Sequence, residues 1–164
     1  MVAAKSSPTY AFGDLLAIAR QSWVKQMTWH LDRQGYPDYR PTDAVIMRLL
    51  IRGPMAIGEL GAALGTTRQA ARKLAEALVR RGYARTECDK SDSRRLNVVL
   101  TPAGEEYTHA IVDIAEALNR DLADSVDPEG LRAADAVLRA VLDAGAARRA
   151  ESLIRRPGIG GDGV

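Results

Sequence analysis

The chain has 164 residues, a formal net charge of +2, 46% hydrophobic residues and 5% aromatic residues. This length suits one domain that buries roughly two-thirds of its unfolded surface, and the sparse aromatics leave packing to aliphatics and alanine, which favours helices over sheets. No apolar run reaches the ~18 residues of a membrane span, no N-terminal run reads as a signal peptide, and the single cysteine, Cys88, excludes an intrachain disulfide or a multi-thiolate zinc cage; together these predict a cytoplasmic protein with no cofactor and no membrane partner.

Residues 1–8 and 157–164 read as frayed ends. Between 11 and 33 the apolar set Phe12, Leu16, Ala19, Trp23, Met27 and His30 recurs every three or four residues, the spacing of one helix face. Leu15, Ile18 and Trp29 lie off that stripe, so this helix needs a second partner, from its own chain or from another subunit. Gly35, Pro37 and Pro41 break it. A second helix is predicted to about residue 52, with Val45, Ile46, Leu49 and Leu50 inward, and "RGPM" ends it.

The stretch "AIGELGAALGTTRQAARKLAEALVRRGYAR" predicts two short helices around Gly65 and Thr66, over about 57–64 and 67–81. A capping box from Thr66 to Gln69 is expected at the second start, and Gly82 is placed to end that helix. Ala71, Leu74, Ala77 and Leu78 are expected inward; Arg68, Gln69, Arg72, Lys73, Glu76 and Arg80 outward. Two strands follow, over 83–87 and 96–100, around a polar tip. Thr101 then reads as an N-cap with Pro102 at the first helical position. Two long helices are predicted over about 102–122 and 128–152, with Tyr107, Ile111, Ile114 and Leu118 as one stripe and Leu131, Leu138, Val141 and Leu142 as another. The fold class is therefore mainly α with a small β-hairpin.

Charge is distributed unevenly. Residues 66–95 hold nine basic side chains and four acidic ones, while the remaining 134 residues carry a net −3. A basic block on a nearly neutral chain is the footprint of a polyanion site. Helix, glycine turn, basic helix and basic hairpin arrive without interruption, which is the order of a winged helix-turn-helix. The major groove admits one helix, and side chains near its N-terminus reach base edges. Thr66, Thr67, Arg68, Gln69, Arg72 and Lys73 occupy that stretch. Gln can pair with adenine and Arg with guanine. On the hairpin tip, Lys90, Asp92, Arg94 and Arg95 are expected to contact DNA. An extended Arg94 suits the narrow, negative minor groove of A·T-rich sequence, and Asp92 can aim it.

The segments "GPMAIGELGAALGTTRQAARKLAEALVRRGYAR" and "DSRRLNVVLTPAG" resemble the MarR family of winged helix-turn-helix regulators, through the Asp-x-Arg wing and the Leu-Thr-x-x-Gly exit from strand to helix. With the flanking helices the resemblance covers nearly the whole chain. It implies one domain over 1–164, with a DNA-binding lobe over 41–101, dimerisation helices over 10–34 and 102–154, and a disordered tail over 157–164. It also implies a homodimer with interlocking terminal helices, bound to a palindromic operator in double-stranded DNA. Regulation by repression is the expectation, relieved by a small phenolic or lipophilic effector. Carried onto matching positions, Thr67, Arg68, Gln69 and Arg72 read the major groove and Arg94 the minor groove. Trp23, Met27 and His30 become candidates for an effector site, although each reads first as a packed core or dimer residue. No cysteine lies in the first helix, and His30 and His109 are far apart, so neither a peroxide sensor nor a zinc site is supported. Glu87 and Asp89 flank Cys88 and argue against redox sensing. The competing classes are a ligand-independent or redox-modulated regulator, a small-molecule enzyme and a protein-interaction module. No nucleotide loop or hydrolase signature supports the enzyme.

Overall fold

The computed structural model describes residues 11–89 and 96–154. The elements run α1 (Phe12–Arg33), α2 (Pro41–Leu50), β1 (Met55–Ala56), α3 (Ile57–Ala63), α4 (Arg68–Arg80), β2 (Ala84–Cys88), β3 (Leu96–Leu100), α5 (Pro102–Ser125) and α6 (Pro128–Ile154). The predicted helices and hairpin strands are all present within one to three residues of their expected ends. Among the described residues, no helix is long and apolar enough to cross a membrane.

The three strands form one antiparallel sheet in the order β1-β3-β2. Ala84 pairs with Leu100 and Cys88 with Leu96. Met55 pairs with Val98 on the other edge. The strand β1 corrects the reading of "RGPM" as a plain helix end. Two residues cannot display an alternating pattern, and the strand exists because the free edge of β3 supplies its hydrogen-bond partners. β3 is central, and Val98, Val99 and Leu100 are all buried.

The described residues up to 117 form one compact unit and those from 118 another. The core of the first contains Leu31, Ile46, Met47, Leu60, Leu78, Val98, Tyr107 and Ile111. Each fully buried aliphatic contributes about 1.5–3 kcal/mol. Four inward assignments need correction. In α2 the buried residues are Asp43, Ala44, Ile46, Met47 and Leu50, whereas Val45 is 42% exposed and Leu49 half-buried. In α4 Ala75 is buried while Leu74 and Ala77 are half-buried. In both cases the position of the neighbouring elements, not the mere presence of apolar side chains, chooses the buried stripe.

The passage from β3 into α5 is tightly built. Thr101 Oγ1 accepts from the Gly104 amide at 3.1 Å and donates to the Gly82 carbonyl at 2.6 Å. The Thr101 amide donates to the Tyr83 carbonyl at 3.1 Å. This confirms Thr101 as the cap and explains Gly104: a Cβ there would overlap the Tyr83 carbonyl oxygen and lie 2.9 Å from its carbon. Gly82, with φ +78°, ends α4 in the left-handed region as expected. In the second unit, Asp127 Oδ1 accepts from the amides of Glu129 and Gly130, both at 2.9 Å, and so starts α6.

Candidate nucleic-acid interface

The helix α4 divides cleanly by face. Ala71, Ala75 and Leu78 are buried, at the i, i+4, i+7 spacing of one stripe. Arg68, Gln69, Arg72, Lys73, Glu76 and Arg80 are all exposed on the remaining surface. The start of the helix is set by Thr67, whose Oγ1 accepts from the Ala70 amide at 3.2 Å. Thr67 is therefore the N-cap, and the capping box expected from Thr66 to Gln69 is not formed. Thr66 serves the preceding turn, its amide donating to the Gly61 carbonyl at 2.9 Å. A hydroxyl caps best when its own backbone is extended, and Thr67 has ψ 153°.

Between α4, the start of α3 and the strands lies an open groove of about 1000 Å3. Arg68, Arg72, Glu76 and Arg80 line it on the helix side, Ile57 and Glu59 on α3, and Thr86 and Leu96 on the hairpin. Arg72 Nε donates to Glu76 Oε1 at 3.1 Å. The apolar contributors Ile57, Val79 and Leu96 were not foreseen from sequence; their signal is weak, since Val79 and Leu96 sit in elements whose other apolar residues are core. The expected tip residues Lys90, Asp92, Arg94 and Arg95 lie outside the described residues. At the near end of the hairpin, Asn97 Nδ2 donates to Asp89 Oδ2 at 2.8 Å.

Two further members of the basic block, besides Arg72, are paired with carboxylates. Arg85 pairs with Glu87 on β2. Arg81 caps the C-terminal end of α4 and is only 14% exposed in its side chain. It pairs with Asp43 of α2, and its Nη2 donates to the Asp38 carbonyl at 2.6 Å. Its guanidinium stands 5.0 Å from the Tyr83 ring centroid. Burial pushes the Asp43 carboxyl above its ordinary value of 3.8, against the pull of Arg81 and Arg40. Tyr83 packs on Tyr107 at 4.7 Å between centroids, and Tyr36 stacks on Tyr107 at 4.6 Å. The Tyr107 hydroxyl is buried without a hydrogen-bond partner of good geometry. Burial first, and then Tyr83, push its pKa to about 12, with Arg81 opposing. This buried cluster ties the end of α4 to the segment between α1 and α2 and to α5. Its pairing of positions 43 and 81 has no local sequence signal.

On α1, Met27 is 1% exposed and belongs to the core. Trp23 and His30 are half-buried on the same side. Trp29 is 56% exposed, edge-on to His30 at 4.6 Å and 4.8 Å from the Arg33 guanidinium. Cys88 is exposed at the end of β2.

No protein-family model and no curated protein matches the chain. Solved structures do. A Staphylococcus aureus MepR–DNA complex superposes with TM-score 0.68 at 17% identity, over 83% of this chain and 98% of that one. Bordetella bronchiseptica BpsR, described as regulated in its DNA binding by 6-hydroxynicotinic acid, superposes with TM-score 0.66 at 21% identity, over 85% and 99%. A probable transcriptional regulator from Pseudomonas aeruginosa gives TM-score 0.64 at 22% identity, over 80% and 96%. The chain thus has the winged-helix fold of MarR-type regulators, with its long flanking helices. These neighbours are transcriptional regulators rather than enzymes.

Proposed function

We propose that the protein is a sequence-specific, DNA-binding transcriptional regulator that acts as a homodimer on a palindromic operator, as a repressor. The observation that carries this reading is the outward face of α4, where Arg68, Gln69, Arg72 and Lys73 stand exposed on the first turns of a fold shared with a protein crystallised on DNA. Cationic side chains on that face displace counterions from phosphates, which supplies most of the affinity. Arg68 and Gln69, nearest the helix start, are within reach of base edges. The wing residues Lys90, Asp92, Arg94 and Arg95 complete the interface from the hairpin, with Arg94 in the minor groove.

Dimerisation is supported by apolar residues left in solvent. Phe12, Leu15 and Ile18 of α1 are 50%, 54% and 48% exposed, and Leu138, Val141 and Leu142 of α6 are 42%, 43% and 68% exposed. A second copy covering these faces gives the molecule a two-fold axis, and two recognition helices about 34 Å apart then meet successive major grooves. The reading includes an aromatic, anionic effector that contacts Trp23 and His30, by likeness to BpsR; it acts only if it prefers one spacing of the two lobes.

Fluorescence anisotropy with duplexes from upstream of the protein's own gene tests the reading across a salt series. Arg68→Ala is expected to cost roughly 1–3 kcal/mol on the preferred duplex and less on scrambled DNA. Arg94→Ala is expected to weaken both and to lower the salt slope by about one unit. A protein that prefers no duplex over scrambled DNA, or that sediments as a monomer at micromolar concentration, overturns the proposal. An effector reading fails if phenolic and nicotinic acids neither quench tryptophan nor release the duplex.

A further inference from the structure

Glu76 interrupts the basic face of α4. The exposed residues of α4 include Arg68, Arg72, Lys73 and Arg80, and Glu76 is the single carboxylate of that helix. A carboxylate turned toward DNA is repelled by every phosphate it approaches. Helix stability does not account for it. The Arg72–Glu76 pair is 70% and 52% exposed, and exposed pairs add little to stability. Its order is also the weaker one for an i,i+4 pair, with the cation toward the N-terminus and the anion toward the C-terminus.

The geometry of the pair does account for it. Arg72 Nε donates to Glu76 Oε1 at 3.1 Å. A guanidinium is a planar fork of five N–H donors. With Nε engaged, the outer edge formed by Nη1 and Nη2 remains for a second, bidentate acceptor. Guanine offers such an acceptor in O6 and N7, side by side in the major groove. A phosphate needs no such alignment, because a swinging arginine satisfies it from many directions. We propose that Glu76 is a positioning residue that holds Arg72 extended for guanine, so that one base pair of the operator is read as G·C. The inference rests on α4 being the recognition helix. The carboxylate lowers affinity for all DNA alike and restricts the arginine to the rotamers in which it reads a base. Discrimination rises because the unpaired alternatives are disfavoured.

The test uses the full chain as wild type, Glu76→Gln, Arg72→Ala and the double variant. Each selects from a pool of randomised duplexes, and the position at which Arg72→Ala loses its preference identifies the base pair in question. Anisotropy then compares the selected duplex, the same duplex with that G·C replaced by A·T, and a scrambled one. Wild type is expected to lose about tenfold in affinity on the replacement. Glu76→Gln is expected to bind scrambled DNA more tightly while its penalty for the replacement shrinks several-fold. The double variant should match Arg72→Ala in discrimination. A Glu76→Gln protein that keeps the full wild-type penalty, or that weakens on all duplexes in parallel, overturns the inference while DNA binding stands. A wild type that selects nothing from the pool removes the reading of α4, and the inference with it.

Discussion

Gly104→Ala is expected to destabilise the fold although it adds one methyl group to a helix. The added Cβ would overlap the Tyr83 carbonyl oxygen and sit 2.9 Å from its carbon and 3.3 Å from a Leu100 methyl. Neither side can yield freely. The Tyr83 carbonyl accepts from the Thr101 amide at 3.1 Å, and Thr101 Oγ1 holds the Gly82 carbonyl at 2.6 Å. Relief requires α5 to move away from the end of α4, which loosens both bonds at about 1 kcal/mol each. Residual crowding adds about 1–3 kcal/mol. The better helix propensity of alanine returns less than about 1 kcal/mol. The net loss is roughly 2–4 kcal/mol, or a fall in Tm of about 4–16 °C for a chain of this size. Circular-dichroism melting and urea unfolding measure it. Gly58→Ala is the control, since a Cβ there meets nothing within 4 Å, and its Tm is expected to hold or rise. A Gly104→Ala protein that melts within about 1 °C of wild type refutes the steric argument.

Three further outcomes follow from the buried cluster. Arg81→Ala strands the Asp43 carboxylate, which is 4% exposed, and is expected to cost about 3 kcal/mol at neutral pH, whereas Arg81→Ala with Asp43→Asn recovers much of it; urea unfolding of the double-mutant cycle reads the coupling. Because burial raises the Asp43 pKa above 3.8, the folded state holds that proton more tightly than the unfolded one. Its contribution is complete below pH 3.8 and is lost as pH rises through the folded value; Asp43→Asn is therefore expected to flatten that part of a stability–pH profile. Tyr107→Phe removes a buried hydroxyl that has no hydrogen-bond partner of good geometry among the described residues and is expected to be neutral or to stabilise by up to about 1 kcal/mol. It also removes a loss of stability between pH 10.0 and about 12, where the unfolded phenol ionises before the folded one.

The elements of this protein were legible because each depends on neighbours three or four residues away. Periodicity placed α3 and α4 on either side of Gly65, and the Thr101–Pro102 pair started α5 where a cap and a proline at N1 belong. The outward residues of α4 were readable for the same reason: a polar stripe on an amphipathic helix has nowhere else to go. Folding alone decided what joins distant segments. Arg81 looked like one more cation in a basic block, yet 38 positions separate it from Asp43, which takes it out of the exposed set. Gly104 stood in the sequence only as the last residue of the Leu-Thr-x-x-Gly exit, and only the carbonyl of Tyr83 shows why a side chain cannot stand there. The two-residue strand β1 exists only against β3, and the choice of Ala75 over Ala77 for burial depends on where α4 is laid. Local sequence determines which conformation a segment prefers and which face is apolar. The partner that face meets, and the polar groups that must then be satisfied beside it, are set only when segments remote in the chain close on one another.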